Sequence, residues 1–320
     1  APDPCSAQLP NHIMVLMGRH FLAILDTPVD LPGFLIQKAA DLKKRPADAP
    51  LAGRTLALLF EKPSLRTRVS FDVGMAQLGG RVIYLSPQEV GLGQREPVED
   101  VARVLGRYVD AIAARTFRHE TVVQLASWAG VPVINALSDF EHPCQAIADL
   151  LTIHERFGGF RGITLAYIGD GNNVANSLVL AAASVGLNIR LASPPGYEVP
   201  DQVKQAALGR AKMTGADVKF LNDPWEAVRG ANVVYTDVWT SMGQEAEAEV
   251  RRQVFANYRV TAELMAAAAP DAVFMHDLPA HRGEEVDPDV IDGPRSVVFD
   301  QAENRLHGQK AILLWVFDRL

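Results

Sequence analysis

The sequence has little cysteine, no excess of positive charge and no long apolar run. Cys5 and Cys144 are the only cysteines in 320 residues, and the second stands in an apolar context, which indicates a reducing cytoplasm. The net charge is −7, from 31 basic and 38 acidic side chains. Nucleic acid is therefore not an expected partner, because there is no basic surplus to release its counterions. A small anion remains a candidate ligand, since a few clustered arginines suffice to hold one.

Membrane insertion is not expected either. No apolar run approaches the ~20 residues that a bilayer span needs. The N-terminal residues lack a basic region followed by an apolar core, so we do not expect a secretory signal there.

The order of apolar and polar segments predicts two α/β units. Hydrophobic residues make up 48% of the chain, and its length suits roughly two domains. Up to about residue 140, strands and helices alternate as in a parallel sheet. Residues 142–157 then read as a long helix, and the alternation restarts at residue 163. We also expect a short helix over 21–25, a loop over 86–95 and a late strand over 297–299.

The stretch from Phe60 to Phe71 has the features of a phosphate cradle. It follows a predicted strand and opens a helix whose N-cap is Ser64. Such a helix start presents free backbone N–H groups and a positive dipole end. Arg66 and Arg68 share this turn, and a guanidinium can bind an oxyanion through two parallel hydrogen bonds. The alternative is a simple helix cap beside two solvated arginines.

Other polar segments also follow predicted strands. In open α/β sheets, ligands bind beyond the carboxyl ends of the strands, so we expect these segments to share one site. They are Ser64 to Arg68, Arg115, residues 135–145 with His142 and Gln145, residues 169–173 with Asn173, residues 237–243 with Asp237, and residues 276–279 with Asp277.

Each segment also has a plainer interpretation that the sequence leaves open. Arg115 is at a position where surface ion pairs are common, and His142 can simply cap the helix that follows. Asp237 can be a solvated acid, and Arg305 can belong to a salt-bridged face of the last helix.

Two cofactor sites are disfavoured. The glycine pattern over 169–173 fails as a dinucleotide fingerprint, because the third glycine would fall at Val174. His142 and Cys144 have no second pair at metal-ligand spacing. We therefore expect neither a nicotinamide nucleotide nor a metal ion.

In their order along the chain, these segments resemble the aspartate/ornithine carbamoyltransferase family, and within it the members that use ornithine. The resemblance covers nearly the whole chain. The motifs are Ser64-x-Arg-Thr, His142-Pro-Cys-Gln, Asp237-x-x-x-Ser-Met-Gly, His276-x-Leu-Pro and Arg305. The Ser-Met-Gly loop separates the ornithine-using members from their aspartate-using relatives.

The resemblance implies transfer of a carbamoyl group from carbamoyl phosphate to ornithine, without a metal or an organic cofactor. It implies that carbamoyl phosphate is held by Ser64, Leu65, Arg66, Thr67, Arg115, His142, Gln145, Leu278 and Arg305. Ornithine would be held by Asn173, Asp237, Ser241 and Met242. Arg115, His142 and Asp277 would be the catalytic residues. Another amine acceptor remains open, such as aspartate, putrescine or an acylated ornithine, and so does a catalytically silent regulatory subunit.

The resemblance also implies a fold and an assembly. Two doubly wound α/β domains with parallel sheets would be joined by interdomain helices. Residues 1–141, completed by the last helix over 301–320, would bind carbamoyl phosphate, and residues 142–300 would bind ornithine. The family assembles as a trimer, with sites near the subunit boundaries.

The chain departs from the family pattern at two positions. Asp277 stands where the family usually has cysteine; a carboxylate there can accept the proton of the amine, but it also favours the unreactive ammonium form. Gly91 stands where many members carry a glutamine that reaches carbamoyl phosphate from a neighbouring subunit, so we expect that contact either to be missing or to be supplied by Gln94 or Arg95.

Overall fold

The computed structural model describes residues 19–45, 48–93, 95–241 and 244–320. These residues form two parallel sheets. The first sheet has the strand order β2-β1-β3-β4 and consists of β1 (Thr55–Phe60), β2 (Arg81–Leu85), β3 (Ala111–Arg115) and β4 (Val133–Leu137). The second has the order β7-β6-β5-β8-β9 and consists of β5 (Thr164–Ile168), β6 (Asn188–Ala192), β7 (Val218–Leu221), β8 (Val233–Thr236) and β9 (Val273–Met275).

Helices surround both sheets. Those before or between the strands of the first sheet are α1 (Leu31–Lys44), α2 (Leu65–Gln77), α3 (Pro87–Val90), α4 (Val98–Leu105) and α5 (His119–Ala129). Those associated with the second sheet are α7 (Asn173–Val185), α8 (Asp201–Thr214), α9 (Pro224–Val228), α10 (Ala248–Phe255), α11 (Ala262–Ala266) and α12 (Pro288–Ile291). Two longer helices, α6 (Pro143–Phe157) and α13 (Val298–Val316), pack against each other and connect the two units.

Alternation of side chains along each strand places helices on both faces of the sheets. In β1, Leu56 and Leu58 enter the core that contains α1, α2, α6 and α13. Ala57 and Leu59 enter a separate core beneath α4 and α5. The larger core continues through α6 and α13 to Leu165 of β5. The expected class, two doubly wound α/β units with parallel sheets, is confirmed.

The strand orders determine where a ligand can bind. β1 lies between β2 and β3, and β5 lies between β6 and β8. The chain therefore reverses its direction of winding beside β1 in one sheet and beside β5 in the other. These are the topological switch points at which α/β sheets open a crevice.

Three local expectations are wrong. Residues 21–25 are not helical, because Phe21 pairs with β4 and the N–H groups of Ile24 and Leu25 donate to the Glu141 carboxylate. Residues 298 and 299 belong to α13, so the run over 297–299 is not a strand. The loop over 86–95 contains the short helix α3, which begins with a Ser86–Glu89 capping box.

Candidate active site

A cleft of about 810 Å³ opens between the carboxyl ends of the two sheets. It contains most of the residues that the sequence pointed to. Those that line it are Ser64, Arg66, Thr67, Arg115, His142, Asn173, Asp237, Ser241, Asp277, Leu278 and Arg305. Residues that are far apart in sequence thus converge, as the strand-end rule predicts.

The N-terminus of α2 forms one end of the cleft. Ser64 is its N-cap, and the Ser64 Oγ accepts a hydrogen bond from the backbone N–H of Thr67 at 3.3 Å. Arg305, from α13, donates from Nη2 to Thr67 Oγ1 at 3.1 Å. A helix N-terminus, two hydroxyls and a guanidinium therefore meet at one place, which is a favourable environment for an oxyanion.

Three arginines share this end of the cleft and repel one another. The pKa of Arg115 falls to about 10, because burial desolvates the guanidinium and because Arg305 and Arg66 add positive charge. Burial likewise lowers the pKa of Arg66 and of Arg305. Arg115 Nε and Arg305 Nε are buried and have no hydrogen-bond partner among the described residues. An anion with several oxygens would offset the repulsion between the arginines and accept hydrogen bonds from their guanidinium groups.

His142 lies beside the arginines at the start of α6. Burial, followed by the positive charges of Arg305 and Arg115, lowers the pKa of its imidazole well below the usual value. The ring is therefore neutral near pH 7. Its Nδ1 is buried without a partner in the described part of the chain, and His142 lines the cleft.

Two carboxyl groups, Asp237 and Asp277, also line the cleft. The charge of Asp277 is close enough to Arg66 and Arg115 to oppose the lowering of their pKa values by burial. Asp237 follows β8 and accepts hydrogen bonds from Asn172 Nδ2 and the backbone N–H of Val238, each at 2.7 Å. Burial and the adjacent Asp277 raise the pKa of Asp237 well above its usual value. Burial opposes ionisation of Asp277 as well, but hydrogen bonds from His276 and Asp237 outweigh burial and lower its pKa. The pair therefore shares one proton, as expected for adjacent buried carboxyls.

The ring of His276 supports this pair from below. Its Nε2 is 3.1 Å from Glu285 Oε1, and its Nδ1 is 3.3 Å from Asp277 Oδ1. The backbone N–H of Leu278 donates to Nδ1 at 2.9 Å. Nδ1 cannot accept this bond and donate to Asp277 at the same time. Burial lowers the pKa of His276, but the bonds to Asp277 and Glu285 outweigh it and raise the pKa to about 9. In this geometry Nδ1 accepts from Leu278, and Nε2 is the ring atom that donates, to Glu285 Oε1.

Asp237, His276 and Asp277 also have possible metal-ligand atoms within 4.8 Å of one another. The shared proton and the bonds to the imidazole account for this arrangement. The cluster by itself is therefore no evidence for a metal site.

The remaining predicted residues are placed differently from one another. Asn173 lines the cleft and donates to the backbone oxygen of Ser138 at 2.7 Å, across the two units. The backbone N–H of Ser241 donates to Gln244 Oε1 at 3.1 Å. Met242 lies outside the described residues.

Three side chains do not reach the cleft. The side chain of Leu65 is 75% exposed, so only its backbone N–H at the start of α2 is available to a ligand. Gln145 is buried beneath the cleft, where Asp149 and Arg305 occupy its amide. Arg68 was expected to bind an oxyanion, but its guanidinium stacks on the ring of Tyr84 at 3.9 Å.

Several polar residues of the cleft were not anticipated. Arg251 of α10 forms a buried ion pair with Asp170 at 2.8 Å and donates to the backbone oxygen of Trp239. Lys62 and Asn172 also line the cleft. Lys62 and Asn172 lie in two segments that the sequence had already marked, 60–71 and 169–173, although neither side chain was given a role there. Arg251 gave no signal, because α10 does not directly follow a strand. No described residue of the 86–95 loop lines the cleft.

Fold and cleft together define a two-unit α/β protein whose single cleft contains a cluster of arginines and a pair of carboxyl groups. Two family models cover most of the chain. The carbamoyl-P binding domain of aspartate/ornithine carbamoyltransferase matches residues 19–155, and the Asp/Orn binding domain matches residues 161–316.

Named relatives agree with the family models. The ornithine carbamoyltransferase of Anoxybacillus flavithermus is 53% identical over 303 residues, which cover 93% of this chain and 96% of that protein. The enzyme of Geobacillus stearothermophilus is 53% identical over 310 residues, covering 96% and 99%. The structure of ornithine carbamoyltransferase from Pyrococcus furiosus superposes with a TM-score of 0.91 at 50% identity, covering 95% and 99%. This chain belongs to the aspartate/ornithine carbamoyltransferase family.

Among the helices that the described residues form, none is both long enough and apolar enough to cross a membrane.

Proposed function

We propose that this chain transfers the carbamoyl group of carbamoyl phosphate to the δ-amine of L-ornithine, giving L-citrulline and phosphate. The observation that carries the proposal is the polarity of the cleft. Arg66, Arg115 and Arg305 form one cluster in it, and the carboxyl groups of Asp237 and Asp277 form a second cluster beside the first. A doubly charged anion and an amine therefore have separate, complementary places in one site. The family and the ornithine-using relatives support the same reaction.

At the arginine cluster, the phosphate of carbamoyl phosphate lies on the N-terminus of α2. Ser64, Thr67, Arg66 and Arg305 bind its oxygens, together with the backbone N–H of Leu65. Neutralising the phosphate makes it a better leaving group, and no metal or organic cofactor is needed for this step. Beneath them, Gln145 contributes to carbamoyl phosphate binding by accepting from Arg305 and holding its guanidinium in place.

The bond changes follow from the substrates. The δ-nitrogen of ornithine attacks the carbonyl carbon, the carbon–oxygen bond to phosphate breaks, and the nitrogen loses a proton. The carbonyl oxygen carries negative charge in the tetrahedral intermediate. Arg115, Thr67 and neutral His142 donate to this oxygen, and the Leu278 carbonyl orients the carbamoyl NH₂. Such donors act most strongly when charge develops in the transition state.

At the carboxyl pair, Asp237 binds the α-ammonium group of ornithine and Asn173 binds its carboxylate. Ser241 and Met242 close over the substrate with the Ser-Met-Gly loop, which excludes water. Asp277 is placed next to Asp237 and accepts the proton that the δ-nitrogen releases.

We further propose the domain division 1–141, completed by 301–320, for carbamoyl phosphate and 142–300 for ornithine. The packing of α13 on α1 and α2 supports this division. The scarcity of cysteine supports a cytoplasmic location.

We also propose that three copies assemble into a homotrimer through α2 and the edge strand β2. Leu65, Val69 and Val73 form a stripe on α2 and are 75%, 49% and 39% exposed, and Ile83 on β2 is 46% exposed. Size-exclusion chromatography with light scattering should give three times the monomer mass for the unmodified chain. Val69→Asp should release smaller species, whereas a monomeric unmodified chain would contradict the proposal.

A colorimetric assay for ureido products tests the reaction directly. Carbamoyl phosphate is offered with L-ornithine, L-aspartate, putrescine or N-acetylornithine in parallel. Citrulline formation should exceed the other products by at least about 100-fold in kcat/KM, because the other amines each lack a group that the cleft pairs. Product from aspartate alone, or from no amine at all, would refute the proposed function.

A further inference from the structure

Asp149, on α6 beneath the cleft, binds donors from three different elements. Its side chain is fully buried. Asp149 Oδ1 accepts hydrogen bonds from Gln145 Nε2 at 2.8 Å and from Gln301 Nε2 at 2.7 Å. Asp149 Oδ2 accepts from the hydroxyl of Tyr235 at 3.2 Å. One carboxyl group thus connects α6, α13 and β8, and Asp149 is not among the residues that line the cleft.

The chemistry of these bonds determines which way both amides face. Burial raises the pKa of Asp149 to about 7, and because Oδ1 faces two amide nitrogens, a proton on this carboxyl is carried by Oδ2 and Oδ1 accepts. Each glutamine therefore turns its NH₂ group toward Oδ1 and its oxygen away. Gln145 Oε1 then accepts from Arg305 Nη1, and Gln301 Oε1 accepts from the backbone N–H of His276 at 2.9 Å. A flipped amide would place two donors against each other in the interior, which is costly.

The two amides each support one of the two clusters in the cleft. Arg305 is held between Gln145 and Thr67, and this leaves its Nε buried and without a partner in the described chain. His276 starts the turn that carries Asp277 and Leu278 into the cleft. Asp149 therefore affects the position of Arg305 through Gln145, and the position of the His276 turn through Gln301.

We propose that Asp149 is a positioning residue that aligns Arg305 with the turn at His276, so that the arginine cluster and the carboxyl pair of the cleft are held in register. This rests on the proposed function, because it assigns Asp149 a part in binding the same two substrates. Asp149 itself touches neither substrate.

A pair of variants at this position separates positioning from burial. Asp149→Asn keeps an oxygen at the Oδ1 position, so both amides stay oriented, while its NH₂ group donates to the Tyr235 hydroxyl oxygen. We expect the KM for carbamoyl phosphate to stay within about threefold of the unmodified value. Asp149→Leu has a similar size and no acceptor. We expect it to raise that KM by about tenfold or more and to lower kcat.

Thr152→Val is the matched control. Asn304 Nδ2 donates to Thr152 Oγ1 at 3.0 Å, so this buried bond also joins α13 to α6. It lies about one turn beyond Asp149 and has no link to the cleft. The control should lower the melting temperature and leave both KM values unchanged.

Gln301→Met keeps the test informative if Asp149→Leu does not fold. It removes the acceptor for the His276 N–H and leaves Gln145 in place. We expect the KM for ornithine to rise several-fold while the KM for carbamoyl phosphate changes little.

Inorganic phosphate provides a readout that does not need turnover. Calorimetric titration should show phosphate binding that is weakened about tenfold in Asp149→Leu, and unchanged in Asp149→Asn and Thr152→Val. If Asp149→Leu is folded, loses only thermal stability and keeps the phosphate affinity, the positioning role is overturned. A wild-type protein that binds phosphate but makes no citrulline would overturn the proposed function instead.

Discussion

Among single residues, Asp277 changes the chemistry of the cleft most. The resembled family has cysteine at this position, and here a second carboxyl lies against Asp237. Because the pair shares one proton, Asp237 has less negative charge available for an ammonium group. The unshared charge also favours the protonated, unreactive form of an incoming amine.

We predict that Asp277→Cys raises activity near neutral pH. Removing the charge should lower the pKa of the bound δ-amine, and each unit of that shift increases the free amine about tenfold below its pKa. The measurement is kcat/KM for ornithine from pH 6 to pH 10. Asp277→Asn is the control for charge, and it should shift the profile in the same direction. Unchanged or lower activity in the cysteine variant would count against the idea that the Asp277 charge holds the amine in its unreactive form.

Arg66 and Arg68 provide a second comparison between neighbouring residues. Arg66 lines the cleft, whereas Arg68 stacks on Tyr84. Arg66→Gln should raise the KM for carbamoyl phosphate at least about tenfold, because the lost bond is charge-assisted. Arg68→Gln should change it less than about twofold. Equal effects of the two variants, in preparations with the same oligomeric state, would argue against this end of the cleft as the phosphate site.

Cleft residues at the ends of strands could be predicted from the sequence. The buried polar residues beneath the cleft could not. Arg115, Asp237 and Asp277 each follow an apolar strand, and parallel strands bring such ends together. Asp149 and Gln301 lie within helices, where a polar residue has no local pattern that distinguishes burial from exposure. Their role depends on which helices pack together, which one sequence does not specify.

Among the elements, α2 depends most on its first turn. Ser64 caps this helix, as the sequence indicated, and Thr261 caps α11 in the same way by accepting from the Leu264 N–H at 3.1 Å. The two caps are chemically alike, but only Ser64 lines the cleft.

We predict that Ser64→Ala and Thr261→Ala each cost about 1 kcal/mol of stability. Only Ser64→Ala should also weaken carbamoyl phosphate binding, by about tenfold, since its hydroxyl is a ligand donor. Urea unfolding and initial-rate kinetics on both variants measure the two effects. A loss of stability without any change in KM for Ser64→Ala would assign this residue to capping alone.

The wrongly predicted elements are short. Residues 21–25 have apolar side chains at helical spacing, but their backbone groups bind β4 and Glu141 instead of one another. The run over 297–299 is apolar and β-branched, yet a run of three cannot be distinguished from the start of a helix by periodicity. By contrast, the long helix predicted over residues 142–157 agrees with α6 (Pro143–Phe157) to within one residue.

For the whole molecule, Glu141 joins the two units just before His142. Its carboxylate accepts from the N–H groups of Ile24 and Leu25 and from the hydroxyl of Ser177. Burial outweighs these bonds and raises the pKa of Glu141 to about 7. Between pH 4.5 and 7 the folded protein therefore retains a proton that the unfolded chain has released, so this group's contribution to stability falls as pH rises.

Glu141→Gln tests this linkage. The amide should destabilise the protein at every pH, because its NH₂ group faces a donor, but the cost should be smaller at pH 8 than at pH 5. The difference is about 1.4 kcal/mol for each unit by which burial raises the pKa. Urea unfolding of both proteins at several pH values measures it. A cost that grows with pH would mean that the three donors hold this pKa below its usual value.

The most direct test of the account is a crystal structure with phosphate bound, because phosphate is both the leaving group of the proposed reaction and its product. We predict one phosphate at the N-terminus of α2, with its oxygens within hydrogen-bond distance of Ser64, Arg66 and Arg305. A phosphate bound elsewhere in the cleft, or guanidinia that turn away from it into solvent, would contradict the account.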